Sequence, residues 1–373
     1  MANCLGLVMG TWSHKFAHEE ITMGDVNMIL LGDTNVSRPD PDSAFTPAMD
    51  LLKDADIRFC NLETIVADAQ YLHPYDRSHL PRTEEWMFES YVRAGFDVMN
   101  QANNPNTYHG HEPIMRSFEV LDAAGIIHSG AGLNLAEASK PAIIERNGTK
   151  IAFVSRTSVG TPGMEATVDT PGVAFYPIQT LYEPPARVHS NPGLPPIVHT
   201  VPDRGVHRTA LEADIRTARE QADVVIVSWH WGLSPYQIQP NVGAGDLPVM
   251  EYQQEMGHFA IDSGADMVIG HHSHQPQPIE IYKGKPILYS LANFVHDLGG
   301  FRDRTLMTMM VRCLIADGKL QRLSYIPGVV RGHGPPDFAR PAQAPDVVKR
   351  ITDMSAPFGT KFEIGEEDVT VSL

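Results

Sequence analysis

Met267-Val268-Ile269-Gly270-His271-His272-Ser273-His274 is a short apolar run that ends on a glycine and opens at once onto three imidazoles. A run this brief reads as a buried strand with polar residues at its C-terminal end. The figure recurs along the chain. Residues 26–31 end in Gly32-Asp33, 57–60 in Asn61-Leu62-Glu63, and 224–229 in His230, while 96–99 run into a polar knot over 100–111. Helical stretches over 44–53, 84–94, 112–124, 208–221 and 250–263 separate these strands. Residues 142–146 and 151–154 flank the turn signal Asn147-Gly148. Further hairpins are expected for 279–282 with 286–291, around Lys283-Gly284, and for 306–315 with 320–326, around Asp317-Gly318. Strand and helix alternating in this way predict an α/β fold, with helices covering sheet faces. In such folds ligands gather where strand C-termini open into loops.

One segment breaks the rhythm. Residues 158–205 are rich in Pro, Gly and His and show no period, so they are expected to form a cap inserted into the domain. The resulting organisation is an N-terminal extension over 1–22, a domain over 23–330 with its cap over 158–205, and a C-terminal extension over 331–373.

Composition narrows the partners. Of 373 residues, 42% are hydrophobic and 20% charged, as in an ordinary globular protein. Lys and Arg number 29 against 45 Asp and Glu, a net charge of -16. That balance repels a nucleic-acid backbone or an anionic membrane. An anionic substrate, small or oligomeric, remains compatible, because a bound metal reverses the field locally. Cys4, Cys60 and Cys313 are widely spaced and supply neither a disulfide framework nor a CxxC knuckle. Residues 1–10 are mildly apolar but short of a membrane span and lack a basic flank, so a cytoplasmic location is expected.

Just past the strand ends stand Asp33, Asn35, Glu63, Asn103, Asn104, His109, His111, His230, His271, His272 and His274. Carboxylate, carboxamide and imidazole donors suit Zn, Mn or Fe. A carboxylate can bridge two such ions, one oxygen to each, and ions about 3.5–4 Å apart activate water and stabilise charge on the attacked group. Taken singly, each residue has a plainer reading as a turn, an exposed carboxylate or a hydrogen-bonded histidine. Their joint placement at successive strand ends favours a metal site. His272 and His274 would share one face of an extended segment.

In order, Gly32-Asp33, Asn61-Leu62-Glu63, Ala102-Asn103-Asn104, His230-Trp231-Gly232, Gly270-His271-His272-Ser273-His274 and Tyr289-Ser290-Leu291-Ala292-Asn293-Phe294 resemble the motifs of the CapA (poly-γ-glutamate capsule synthesis) branch of the calcineurin-like metallophosphoesterases. The resemblance covers roughly residues 26–326. It implies a calcineurin-like fold, a two-sheet β-sandwich flanked by helices. It implies a divalent transition metal, two ions of Mn, Zn or Fe, held by Asp33, Asn35, Glu63, Asn104, His230, His272 and His274 with Glu63 as the bridge. Asn35 stands where calcineurin-type enzymes carry a histidine ligand, and its carbonyl is the weaker donor. Asn103, Tyr236 and Asn293 are expected to contact substrate.

The sequence also departs from the pattern. Pro105 replaces the histidine that assists the leaving group in phosphoesterases, and Tyr108 replaces an aspartate expected nearby. His109 or His111 is then the expected proton donor. Where the family has Glu-Tyr after His-Trp-Gly, the nearest counterpart is Tyr236. The resemblance implies a hydrolase whose metal-bound hydroxide attacks an amide or ester, with a γ-glutamyl-like bond of a small carboxylated molecule as the natural target. A metallophosphoesterase and a capsule-synthesis accessory protein without turnover are the alternatives.

Overall fold

The computed structural model describes residues 24–73, 82–187, 189–190, 193–235, 247–297, 305–332 and 334–373. The first part of the chain alternates β1 (Val26–Asn35), α1 (Met49–Lys53), β2 (Ile57–Leu62), α2 (Glu85–Ala94), β3 (Val98–Asn100), α3 (His111–Ala123) and β4 (Ile127–Ser129). After β5 (Ala131–Gly132) and α4 (Leu135–Ser139) come β6 (Ala142–Arg146), β7 (Thr149–Thr157), β8 (Gly172–Val173), β9 (Ile178–Glu183) and β10 (Ile197–Pro202). Then follow α5 (Val206–Gln221), β11 (Val224–His230), α6 (Glu251–Asp262), β12 (Met267–His271), β13 (Ile279–Tyr282), β14 (Lys285–Leu288) and β15 (Asn293–His296). The chain closes with β16 (Thr305–Ala316), β17 (Lys319–Arg331), β18 (Pro336–Phe338), α7 (Pro345–Ser355), β19 (Phe362–Ile364) and β20 (Val369–Val371).

A ten-stranded sheet has the order β19-β20-β17-β16-β1-β2-β3-β4, with β15 also on β1 and β18 on β17; a six-stranded sheet runs β13-β14-β12-β11-β7-β6. The sheets face each other across one core. Phe59 of β2 stacks on Phe153 of β7 with ring centroids 4.9 Å apart, among Met28, Leu30, Ile226 and Ile269. On the outer face of the larger sheet, Leu31, Cys60 and Met99 meet Leu52, Phe88 and Tyr91 from α1 and α2. On the other side, Val225, Val227 and Val268 meet Ile215 of α5 and Met256 of α6. Strands covered on both faces have no polar side, which is why they read as unbroken apolar runs. The expected two-sheet sandwich flanked by helices is what the chain adopts.

Three expectations are corrected. The helix over 44–53 is mostly two 3-10 turns, Pro41–Ala44 and Thr46–Ala48, with only Met49–Lys53 as α-helix, because Pro47 lacks the N–H that a helix interior needs. Within 158–205, β9 and β10 pair antiparallel over six residue pairs, from Ile178↔Pro202 to Glu183↔Ile197. The hairpin escaped detection because β9 is exposed along most of its length, so no face needed to be apolar. Residues 331–373 are no appendage. β20 pairs with β17, and Val347, Val348, Ile351, Val369 and Val371 lie in the core between the sheets. Residues 1–22 lie outside the described residues. Among the described residues, no helix is long and apolar enough to cross a membrane.

Candidate metal centre

Strands β1, β2, β11 and β12 run further than their apolar runs, so Asp33, Asn61, His230 and His271 belong to rigid strand ends. Asp33 lies within β1, where the N–H of Asp33 donates to the carbonyl of Ala292, 2.8 Å away. A Cβ on Gly32 would stand 1.8 Å from that same oxygen, and one on Gly270 2.0 Å from the carbonyl of Tyr289. Both glycines therefore precede site residues because backbone passes where a side chain would be. Past β12 the chain is not extended. His272 and His274 have φ of 88° and 54°, left-handed values that a bulky residue adopts only where the surroundings impose them.

This turn separates the two histidines, correcting the expectation that they share a face. His272 Nδ1 is 3.0 Å from His230 Nε2, which is 2.6 Å from Asn104 Oδ1 and 3.5 Å from Glu63 Oε1. His274 Nδ1 is 3.4 Å from Asp33 Oδ2, 3.7 Å from Glu63 Oε2 and 2.8 Å from Asn293 Oδ1. His296 Nε2 is 3.3 Å from Glu63 Oε2. Two groups result, Glu63 with His230 and His272, and Glu63 with His274 and His296. Glu63 belongs to both.

The residues fit divalent ions. Ligands of one ion at ~2.0–2.2 Å stand roughly 3–3.5 Å from each other, close to the spacings seen here. Asp33 and Glu63 are 0% and 1% exposed, and among the described residues their ion pairs are all with imidazoles. Two buried carboxylates without a permanent cation are costly. Burial and then the neighbouring Asp33 carboxylate push Glu63 well above the usual carboxylate range. Burial would raise Asp33 also, but the hydrogen bond from His274 and the charges of His274, His230 and His271 hold it well below that range. Burial pushes His272 down to about 3 and His271 to about 4, and takes His230 well below its ordinary value. Neutral imidazole is the ligating form.

A second layer orients the donors. Asn61 Nδ2 donates to Asp33 Oδ1 at 2.6 Å and lies 3.3 Å from His230 Nδ1; Asn100 Nδ2 donates to Asn61 Oδ1 at 2.7 Å. His271 Nε2 is 3.1 Å from Ser228 Oγ, and its Nδ1 is 3.7 Å from Asp33 Oδ1. Such partners fix ring orientation.

The structure brings Asp33, Glu63, Asn104, His230, His272 and His274 together. Asn35, on β1, is wholly buried, and neither side-chain polar atom has a hydrogen-bond partner among the described residues. The residues expected to contact substrate are Asn103, Asn293 and Tyr236. Asn103 is wholly buried, with Nδ2 donating to the carbonyls of Leu62 at 2.7 Å and Asn100 at 3.2 Å. It positions the loop. Asn293 lies among the donors, and Tyr236 lies outside the described residues.

Of the expected acids, His109 is 6% exposed, and His111 is half-buried as the first residue of α3. Tyr108, just before them, is bonded into the cluster, its Oη accepting from Asn104 Nδ2. Burial, and secondarily the Glu63 carboxylate, raises the phenol against the lowering effect of the Asn104 bond. Asn104 and Tyr108 are half-buried, while the other donors are buried, so this side is the open edge. Sequence reasoning missed Tyr108 and His296 as members of the site. Position within the polar knot offered a signal for Tyr108, and nothing comparable marked His296.

Comparison with known proteins agrees with the motifs. The family model "Bacterial capsule synthesis protein PGA_cap" matches residues 21–298. The PGA biosynthesis protein CapA of Bacillus subtilis is 27% identical over 76% of this chain and 64% of its own length. The capsule biosynthesis protein CapA of Bacillus anthracis is 26% identical over 83% of this chain and 67% of its own. The chain thus spans about two thirds of the length of these relatives. A hypothetical protein from Thermus thermophilus superposes with a TM-score of 0.46 at 13% identity, covering 82% of this chain and 99% of that one.

Proposed function

The chain belongs to the bacterial capsule synthesis family PGA_cap, and from that premise we propose a metal-dependent hydrolase that cleaves an amide or ester bond, γ-glutamyl-like, in a small carboxylated substrate. The observation that carries this reading is Glu63, with Oε1 toward His230 and Oε2 toward His274. A pair of divalent ions bound there supplies water of lowered pKa and offsets charge on the attacked group. Asn104, His230 and His272 would hold one ion, and Asp33 and His274 the other. Asn61 and Asn100 keep Asp33 in place. The substrate enters beside Asn104 and Tyr108. Tyr108 accepts a hydrogen bond from Asn104, which leaves its own O–H proton to protonate the departing amine or alkoxide. Pro105 has no ionisable group, so a phosphodiesterase would depend on the same Tyr108 proton, and that reading is kept as the alternative. The Bacillus relatives are named as biosynthesis proteins, which supports a second reading, polymer binding without turnover.

The test is a panel of γ-glutamyl p-nitroanilide, p-nitrophenyl acetate and bis-p-nitrophenyl phosphate with metal-loaded protein. Amide or ester turnover is expected, lost on chelation. Tyr108→Phe should lower kcat about 10²–10⁴-fold with little change in KM. Rapid phosphodiester cleavage would put the phosphoesterase first. Tight binding of poly-γ-glutamate without turnover would favour the accessory reading.

A further inference from the structure

The residue two places after Asp33 is Asn35, and β1 pairs there with β15 in parallel, Asp33 opposite Asn293 and Asn35 opposite His296. Side chains alternate along a strand. Asn293 and His296, three apart, would face opposite sides of a regular β15. The register slips between Asp33 and Thr34, and such an irregularity re-aims one side chain relative to the next. The result is that Asn293 Oδ1 reaches His274 Nδ1 at 2.8 Å while His296 Nε2 reaches Glu63 Oε2 at 3.3 Å. The rings of His274 and His296 meet edge to face, centroids 4.7 Å apart.

We propose that His296 ligates the ion held by Asp33, Glu63 and His274, taking on the role of the histidine that Asn35 replaces, so that a nitrogen donor lost from β1 is regained from the strand paired beside it. This rests on the metal-centre reading above. The neighbouring residues hold the exchange in register. The N–H of Asp297 donates to the carbonyl of Asn35 at 3.1 Å, and Ser37 N–H donates to Asp297 Oδ2 at 2.8 Å. Arg38 grips both Asp297 oxygens, Nε to Oδ2 at 2.9 Å and Nη2 to Oδ1 at 2.6 Å. Placing a histidine at 35 and removing the one at 296 should therefore be equivalent, within this pair, to leaving the chain unchanged.

The experiment titrates the metal-stripped full chain with Zn²⁺ by calorimetry and counts bound zinc after gel filtration. Wild type should take up about two equivalents. His296→Ala should lose one and keep the other, and Asn35→His in that background should restore it. Two unchanged equivalents in His296→Ala overturn the proposal, and so does loss without rescue. Wild type that binds no zinc would instead sink the metal centre itself. Should the variants not fold, by circular dichroism, anomalous diffraction from zinc-soaked wild-type crystals decides. An ion ~2.0–2.1 Å from His296 Nε2 supports the assignment, and an ion beside Asp33 and His274 out of reach of His296 refutes it.

Discussion

Because Oε1 of Glu63 lies 3.5 Å from His230 and Oε2 3.3 Å from His296, removing its charge alters both donor groups at once. Glu63→Gln keeps the size but not the charge, and should release both ions together. His230→Ala should release one. Elemental analysis after gel filtration distinguishes them, and a Glu63→Gln protein that keeps one tightly held ion would show the carboxylate is not shared. Gly32 tests the backbone beneath. An added Cβ would meet the Ala292 carbonyl at 1.8 Å, far inside van der Waals contact, so β1 and the segment leading into β15 must separate. Gly32→Ala should cost about 1–3 kcal/mol or more, read by urea denaturation, and weaken the ion held by Asp33. A stability change near zero would mean the backbone gives way easily there.

At the scale of elements, the excursion over 158–205 is anchored at its start, and β9 further on is exposed. Thr161 N–H donates to Thr107 Oγ1 at 2.9 Å and Ser158 N–H to the carbonyl of His230 at 2.9 Å, so the segment leaves the sheet beside the loops of the candidate centre. The β9–β10 hairpin then leans on α6, with His199 Nδ1 3.7 Å from Glu251 Oε2, while Tyr182, Ile197 and Val198 stay exposed. Little apolar area is lost if it is removed. Replacing 178–202 by a short Gly-Ser link should leave the melting temperature within a few degrees and change the ratio of kcat/KM between small and bulky γ-glutamyl amides. An unchanged ratio with a large fall in melting temperature would make the hairpin structural and end its reading as a cap.

Across the whole molecule, the C-terminal segment completes the core. Ile351 of α7 is wholly buried between the sheets, and Ser355 Oγ accepts from the N–H of Ile279 at 2.9 Å. Ile351→Ala should destabilise the entire domain by about 2–5 kcal/mol in a single denaturation transition. A change below about 1 kcal/mol would place α7 outside the cooperative unit. Local pattern alone determined the layered α/β fold and the candidate ligands at strand ends, because short apolar runs closed by Gly32-Asp33, Leu62-Glu63 or His230 need no distant partner to be read. Residues whose place depends on such a partner stayed hidden. His296 enters the centre only through the slipped pairing of β15 with β1, a strand from the far end of the chain. Tyr108 matters through one bond to Asn104, and β9 and β10 are strands by mutual hydrogen bonding without burial. His272 and His274 were recognisable as candidate ligands, yet their division between two donor groups rests on left-handed backbone that only the packed loop imposes. Burial and pairing are properties of the assembled chain, so tertiary structure alone decided which nitrogen faces which carboxylate oxygen.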